Sequence, residues 1–551
     1  MNLDLPSTGN EQPPQFLDLE QCQDWQKALP LSNPIQAQAQ LLRQLHLLNR
    51  YTLDAELRFG MLEILREPIH FVREENAKKF AGKPLPLAPP EQAALDTTHS
   101  LWQALATGYL RCLDACLTGN TTHGPLKPLA AQVCQRALAA LADDQTDLVR
   151  AGSQPDLAHW RRAHALYASA EKLGVTAAAV GDPLRGDRSI TPLAAYVELL
   201  LLAAASLHEL LPRHQRWVMG WARRWAGKVA VLDAPPPLDS PALPLCVDLD
   251  SEAPASYKPL AGSGARWLET TELRKSLKRR LNLLARGAPE DTPERIGLGA
   301  DCTQPACGEV LRRVYPRWVK GGILRRHERH PLSGSCRFVA GVETIHYYLS
   351  GHQPFKTPGQ ANAADLRRER EEMATFGRVA NRFMDDYSRH HGHQIENWEV
   401  VEDWGMLDQS SGGLRMVRPL KQAGGRLGVG QLVAVQPAGT SGLLLGAVRW
   451  VQVVAATLVA GIQMFPGKPW PVAVRGTGVL AEKEPYRPGF LLPALPALEL
   501  PSCLVGPLGS FKFGRVMEAW SPEGSAQYKL QEVVDRGIDF ERIACSEVAA
   551  R

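Results

Sequence analysis

The chain has 551 residues, 44% of them hydrophobic and 22% charged, with a formal net charge of +4 at pH 7. That length allows about three to four domains with sizeable cores, and the composition excludes a disordered chain. So small a net charge also argues against a general nucleic-acid binder.

In chain order, the first 232 residues read as an all-helical region. After an irregular start, Asn33-Pro34 is a helix-opening pair, and Ile35–Arg50 places Leu41, Leu42, Leu45 and Leu48 on one face. A second helix is predicted over Leu53–Phe71, with Leu57, Met61, Ile64 and Leu65 facing a core and Pro68 kinking or ending it. A proline-rich break at Pro84–Pro90 leads to helices at Glu91–Leu117, Leu129–Leu141, Asp156–Leu173 and Pro192–Trp225. No tryptophan, glycine or proline signature recurs at a fixed period, so an irregular bundle is expected rather than a repeat array. His159 and His164 are five residues apart, which turns them to different faces of one helix and makes them surface histidines rather than metal ligands.

Residues 233–264 are rich in proline and read as a connector, with Leu245–Leu249 as one extended piece. Residues 265–319 form a helical segment leading onward. Its Glu269–Arg286 helix carries Leu273, Leu277, Leu281 and Leu284 beside a basic face, and a shorter helix covers Gly308–Trp318. Arg312, Arg313, Arg317 and Lys320 there add positive charge just before the next element.

Two patches then concentrate the chemistry. Arg325-Arg326-His327-Glu328-Arg329 offers guanidinium groups at i and i+4 as the chain becomes extended, so that they converge on one planar anionic ligand. Downstream, Asp408-Gln409-Ser410-Ser411-Gly412-Gly413 is a turn whose carboxylate can accept from the N–H edge of a base and whose serine can donate to phosphate; its paired glycines permit positive φ. RxxxR followed by [D/N]xSxxG resembles the signature of PilZ domains, bacterial β-barrel receptors for cyclic di-GMP. Leu432–Gln436, Leu443–Gln452 and Gly461–Phe465 look like the later barrel strands of that family. The resemblance covers about residues 320–474 and implies an antiparallel barrel binding cyclic di-GMP through Arg325, Arg326, Arg329, Asp408, Ser410, Gly412 and Gly413, with the segment before the arginines closing over the ligand. Between the motifs, Asp365–Tyr387 reads as an inserted helix and Arg389–His393 as a polar, histidine-rich loop. Residues 475–551 read as a small β-rich extension.

The fold expected is thus multidomain α+β: a large all-α N-terminal region, a PilZ-like antiparallel barrel and a β-rich C-terminal extension. Cys112 and Cys116, one turn apart on an apolar stripe, read as buried thiols, and Cys302 and Cys307 frame a loop without zinc-spaced partners. Thinly spread cysteines, a polar start without a secretory signal, and apolar runs interrupted by Glu198, His208 and Arg449 point to a soluble cytoplasmic protein with no membrane span. No HExxH, GxSxG, P-loop or dinucleotide fingerprint stands at a strand-to-helix junction, so neither catalysis nor a metal or cofactor is expected. The function implied is a cyclic di-GMP receptor whose helical region carries the output to a protein partner. The alternatives are a scaffold whose barrel no longer binds ligand, or nucleic-acid binding through Arg274–Arg286 and Arg312–Arg329.

Overall fold

The computed structural model describes residues 5–9, 12–118, 126–186, 188–236, 243–321, 328–355, 357, 401–437, 439–440, 442–478 and 484–548. The chain divides into two compact units, one of residues 1–83 and 87–325, the other of residues 84–86 and 326–551. The inserted helix predicted at 365–387 and the histidine cluster at 389–393 lie outside the described residues.

The first unit is built on helices α1 (Leu19–Lys27), α2 (Pro34–Arg50), α3 (Ala55–Phe80), α4 (Pro89–Thr118), α5 (Leu126–Arg150) and α6 (Leu157–Lys172). A short hairpin follows, β1 (Val180–Asp182) with β2 (Arg188–Ile190), then α7 (Pro192–Ala204) and α8 (Pro212–Trp225). The start of the chain, read as irregular, holds α1: Asp18 caps it by accepting from Gln21 N–H at 2.8 Å, and it buries Cys22. Pro68 neither ends nor limits α3, because the continuation to Phe80 buries Ile69, Val72, Ala77 and Phe80, and that burial outweighs one lost backbone hydrogen bond. The expected single helix 192–225 is two, parted where Ser206 takes a positive φ of 51° and Pro212 starts a new first turn.

The largest departure concerns α5, which runs nine residues past the predicted end at Leu141. Asp143, Asp144, Gln145 and Asp147 have the polarity of a loop, yet all are buried. Arginines from other elements make this possible. Asp147 accepts both Nε and Nη2 of Arg73 at 2.7 Å and Trp102 Nε1 at 3.0 Å. Asp143 pairs with Arg185 at 2.9 Å and Arg223 at 2.7 Å, and Glu198 joins the same two arginines. Asp182 accepts Arg66 at 2.9 and 3.0 Å and Gln135 at 3.1 Å. His159 and His164, expected at the surface, are buried as well; His164 is held between Tyr196 Oη at 2.8 Å and the Ala253 carbonyl at 2.9 Å.

The proline-rich stretch contributes to a small sheet inside this unit, in the order β3 (Ala230–Leu232), β5 (Ala265–Glu269), β4 (Cys246–Asp248). Helices α9 (Thr271–Arg286) and α10 (Ala306–Val319) complete the unit. Cys302 and Cys307, read as a loop frame, are bonded to each other across a Cα separation of 5.4 Å. Cys112 and Cys116 are buried free thiols as expected, and burial pushes them up to about 12 and about 11.

The second unit contains two closed antiparallel barrels. The first comprises β6 (His330–Ala340), β7 (Glu402–Ser410), β8 (Gly413–Pro419), β9 (Leu432–Pro437), β10 (Leu444–Val454) and β11 (Thr457–Met464), in the order β10-β11-β8-β7-β6-β9. After β6 comes α11 (Val342–Leu349), a helix that sequence reading missed. The second barrel comprises β12 (Trp470–Gly476), β13 (Arg487–Leu492), β14 (Cys503–Gly506), β15 (Val516–Ser521), β16 (Gly524–Arg536) and β17 (Glu541–Glu547). What reads in sequence as a small extension from residue 475 is therefore a complete barrel. Its first strand starts at Trp470 and pairs with β13 and β15 rather than with the first barrel. An apolar layer of Ile345, Leu445, Phe465, Phe490 and Phe540 joins α11 and the two barrels.

The buried carboxylates set an acid limit on the helical unit. Burial alone would raise the Asp143 and Asp182 carboxyls, but Arg185 and Arg223 on the one and Arg66 and Arg136 on the other hold both below the usual range. A depressed folded-state value contributes stability that is fully present above the unfolded value of about 3.9 and is lost as pH falls from there through the lower folded value. Thermal melting followed by helical circular dichroism should decline gently below about pH 6.5, where burial holds histidines such as His70 and His164 below their ordinary value, and fall steeply below about pH 4 as the paired carboxylates protonate. Equal midpoints on both sides of that last value would remove this account.

Candidate functional site

The site grows from the hairpin β7–β8. Their register pairs Met406 with Met416, then Asp408 with Arg415, Gln409 with Leu414 and Ser410 with Gly413, leaving Leu407 as an extra residue. Strand residues alternate faces with a period of two, so this bulge reverses the phase of the strand. Trp404 and Met406 point into the barrel before it; beyond it Asp408 and Ser410 share the outer face with Arg415.

Asp408 sits there between two cations. Arg329, the last residue before β6, places Nη1 2.5 Å from Asp408 Oδ1, and Arg415 places Nε 2.8 Å from Oδ2. The two guanidinium groups cover the carboxylate, which leaves Asp408 only 8% exposed although it faces outward. Of the residues singled out in sequence, Arg329, Asp408, Ser410, Gly412 and Gly413 are thus brought to one hairpin end, whereas Arg325 and Arg326 lie outside the described residues. Ser410 Oγ is 3.5 Å from the Gly413 carbonyl, a weak tie that leaves the hydroxyl able to turn to another acceptor. The glycines act differently from expectation, since neither Gly412 nor Gly413 has a positive φ. Gly413 is required by closeness: a Cβ there would meet the Ile462 carbonyl oxygen at 2.5 Å across the β8–β11 ladder.

Beside the hairpin lies a cleft of about 590 Å³, lined by Ser410 and Gly412 at the hairpin end, Phe465 after β11, and Leu492, Cys503 and Arg542 from the second barrel. Arg542 stands 4.6 Å over the Phe465 ring, and its buried Nε has no hydrogen-bond partner. Arg329, Asp408 and Arg415 do not line this cleft, so the arginine cluster on the outer face and the cleft share only the turn.

Arg415 and Arg542 were missed in sequence. Counting back from the two-residue turn, Ser410 faces Gly413, Gln409 faces Leu414 and Asp408 faces Arg415, so Arg415 was within reach of the turn reading, whereas Arg542 stands far along the chain. In the other direction, two arginines expected to add charge to the site are engaged elsewhere: Arg313 and Arg317 pair with Glu209 in the helical unit at 3.2 and 2.5 Å, and Arg317 also bonds the Ala205 carbonyl at 2.7 Å. Among the described residues, no group of histidine, cysteine or carboxylate side chains is arranged to hold a metal ion, and no helix is long and apolar enough to cross a membrane.

Fold and site together define a multidomain α+β protein in which a helical unit precedes paired antiparallel barrels, the first bearing an arginine–carboxylate cluster on its outer face. Residues 20–236 match the family model described as "Cyclic-di-GMP receptor FimW, N-terminal domain", and residues 472–547 match "FimW C-terminal beta-barrel domain". The second range coincides with the second barrel, and the first barrel lies between the two matches. A curated relative, the cyclic-di-GMP receptor FimW of Pseudomonas aeruginosa, is 23% identical over 525 residues, covering 89% of this chain and 84% of the relative. By its helical N-terminal domain and its C-terminal barrel domain the chain belongs to the FimW family.

The close approach at Gly413 is testable. Gly413→Ala should force β8 away from β11 and destabilise the protein by roughly 1–3 kcal/mol, measured by chemical denaturation. A change within about 0.5 kcal/mol of the parent would mean that the ladder adjusts freely at this point.

Proposed function

We propose that this protein is a receptor and effector for cyclic di-GMP, with the ligand held on the outer face of the first barrel by Arg325, Arg326, Arg329, Asp408, Ser410, Gly412 and Gly413. The observation that carries the reading is the meeting of Arg329, Asp408, Ser410 and Arg415 at one hairpin end, brought together from two separate motifs by the β6–β7–β8 register. The relative's own description as a cyclic-di-GMP receptor supports it. The strands of residues 330–340 and 402–464 form a closed antiparallel barrel, which the proposal treats as PilZ-like. A receptor of this kind needs no catalytic group, acts in the cytoplasm, and passes its state to a protein partner through the helical region.

The geometry suggests how ligand enters. Asp408 pairs with both Arg329 and Arg415, one carboxylate against two guanidinium groups, so a net positive charge remains on this face. A phosphodiester arriving with the other motif arginines takes over Arg329, and the carboxylate so released turns to the N–H edge of guanine. The exchange replaces one ion pair by another, so the net gain comes from the added contacts to phosphate and base.

Charged hydrogen bonds contribute roughly 1.5–3 kcal/mol each, and about 1.4 kcal/mol is a factor of ten. Arg325→Ala and Arg329→Ala should therefore each weaken cyclic di-GMP binding at least about tenfold in calorimetry, with GTP and a random oligonucleotide as controls. Unchanged affinity in both variants would remove the receptor reading, and preferential, strongly salt-dependent oligonucleotide binding would replace it.

Asp408→Ala should lower discrimination between cyclic di-GMP and cyclic di-AMP by about tenfold or more. Asp408→Asn keeps an acceptor and gives up the charge, so it should be milder. If Asn proves as damaging as Ala, the role of Asp408 is to hold Arg329 and Arg415 rather than to read the base.

A further inference from the structure

The helical unit contains an open cleft of about 500 Å³, within the roughly 300–1,000 Å³ of small-molecule sites. It is lined by His46, Asn49 and Arg50 at the end of α2, His99 and Gln103 on α4, and Arg162 on α6, with the N-terminal segment at residues 5–6 along one side. The lining carries two arginines and two histidines and no carboxylate. Arg162 bonds Gln103 Oε1, and among the described residues neither Arg50 nor Arg162 has a carboxylate partner. Behind the wall, buried Asp144 lies 2.8 Å from His99 Nδ1 and accepts Gln103 Nε2 at 2.6 Å, which fixes both side chains and raises the His99 pKa above its ordinary value.

The end of a helix is ordinarily a poor place for an anion, because its last carbonyls point outward. Here they are already capped. Arg58 donates to the Leu48 and Tyr51 carbonyls, Arg111 to those of Asn49 and Pro6, and Gly9 N–H to that of Arg50 at 2.8 Å. The same bonds tie the N-terminal segment down as a wall. Asn49, only 3% exposed, donates Nδ2 to the Ala104 carbonyl at 2.7 Å, while its buried Oδ1 has no donor.

We propose that this cleft is a second ligand site, for a small organic phosphate such as a mononucleotide or sugar phosphate. Arg50 and Arg162 hold the phosphate, and the organic part of the ligand fills the rest of the cleft. The site lies wholly in the helical unit and shares no residue with the barrel site, so it stands independently of the function proposed above.

The test is calorimetric titration of the full chain with 5′-AMP and with ribose 5-phosphate, inorganic phosphate serving as the comparison. Saturable binding of at least one organic probe is expected. Arg50→Gln and Arg162→Gln should each weaken it at least about tenfold, whereas Arg329→Ala should leave it unchanged. Arg50 is exposed, so its replacement does not endanger the fold, and Arg162→Lys keeps the charge should Arg162→Gln fail to fold. The proposal is overturned if neither probe binds at millimolar concentration, if binding survives the Arg50→Gln change undiminished, or if inorganic phosphate binds as tightly as both organic probes.

Discussion

Closure of the first barrel limits what its surface can present. With β9 bonded to both β6 and β10, every strand has two neighbours and no edge remains on which a residue could slip. One added residue at Leu407 therefore cannot be absorbed by a shift of the ladder and is expressed as a reversal of face. That reversal carries Asp408 out of the interior, where an uncompensated carboxylate would be costly, and sets it against Arg415 and Arg329. The same closure forces β8 against β11 so tightly that position 413 has room only for glycine. The motif residues are consequently a product of barrel geometry as much as of their own chemistry.

A different solution serves the helical unit. There carboxylates go inside and are neutralised in place: Asp143, Asp147, Asp182 and Glu198 each meet arginine from another element. Such pairs are weak evidence for added stability, since desolvation offsets attraction, but removal of one partner leaves a buried charge. They tie α3, α5, α7, α8 and the β1–β2 hairpin into one arrangement that cannot be loosened piecemeal. Arg317 belongs to the same style of construction, engaged by Glu209 and by the Ala205 carbonyl, so any transmission through α10 must act on a segment already anchored in its own unit.

The first barrel shows how far a short pattern can carry. RxxxR and DxSxxG led to the hairpin that the structure builds, and apolar strand-like stretches at Leu432–Gln436 and Leu443–Gln452 fall on β9 and β10. The second barrel was harder to see. Its strands are short and broken by prolines and glycines, and each is half-buried against partners distant in sequence, as β12 is against β15, so no local window reveals closure.

Sequence by itself determined whatever depends on near neighbours. Leucine spacing set α2, the end of α4 and the inner face of α9, and Asn33-Pro34 set a helix start, because a helix buries residues three and four apart on one side. Tertiary structure decided wherever a distant partner changes the cost of a residue. The run from Asp143 to Asp147 is loop-like in isolation and helical only because arginines from α3, α8 and the loop after β1 await it. Pro68 is tolerated because packing pays for the missing bond. Asp408 meets Arg329 as well as Arg415 because β6, distant in sequence, is laddered to β7, and a hydrogen-bonded ring is a property of all six strands together.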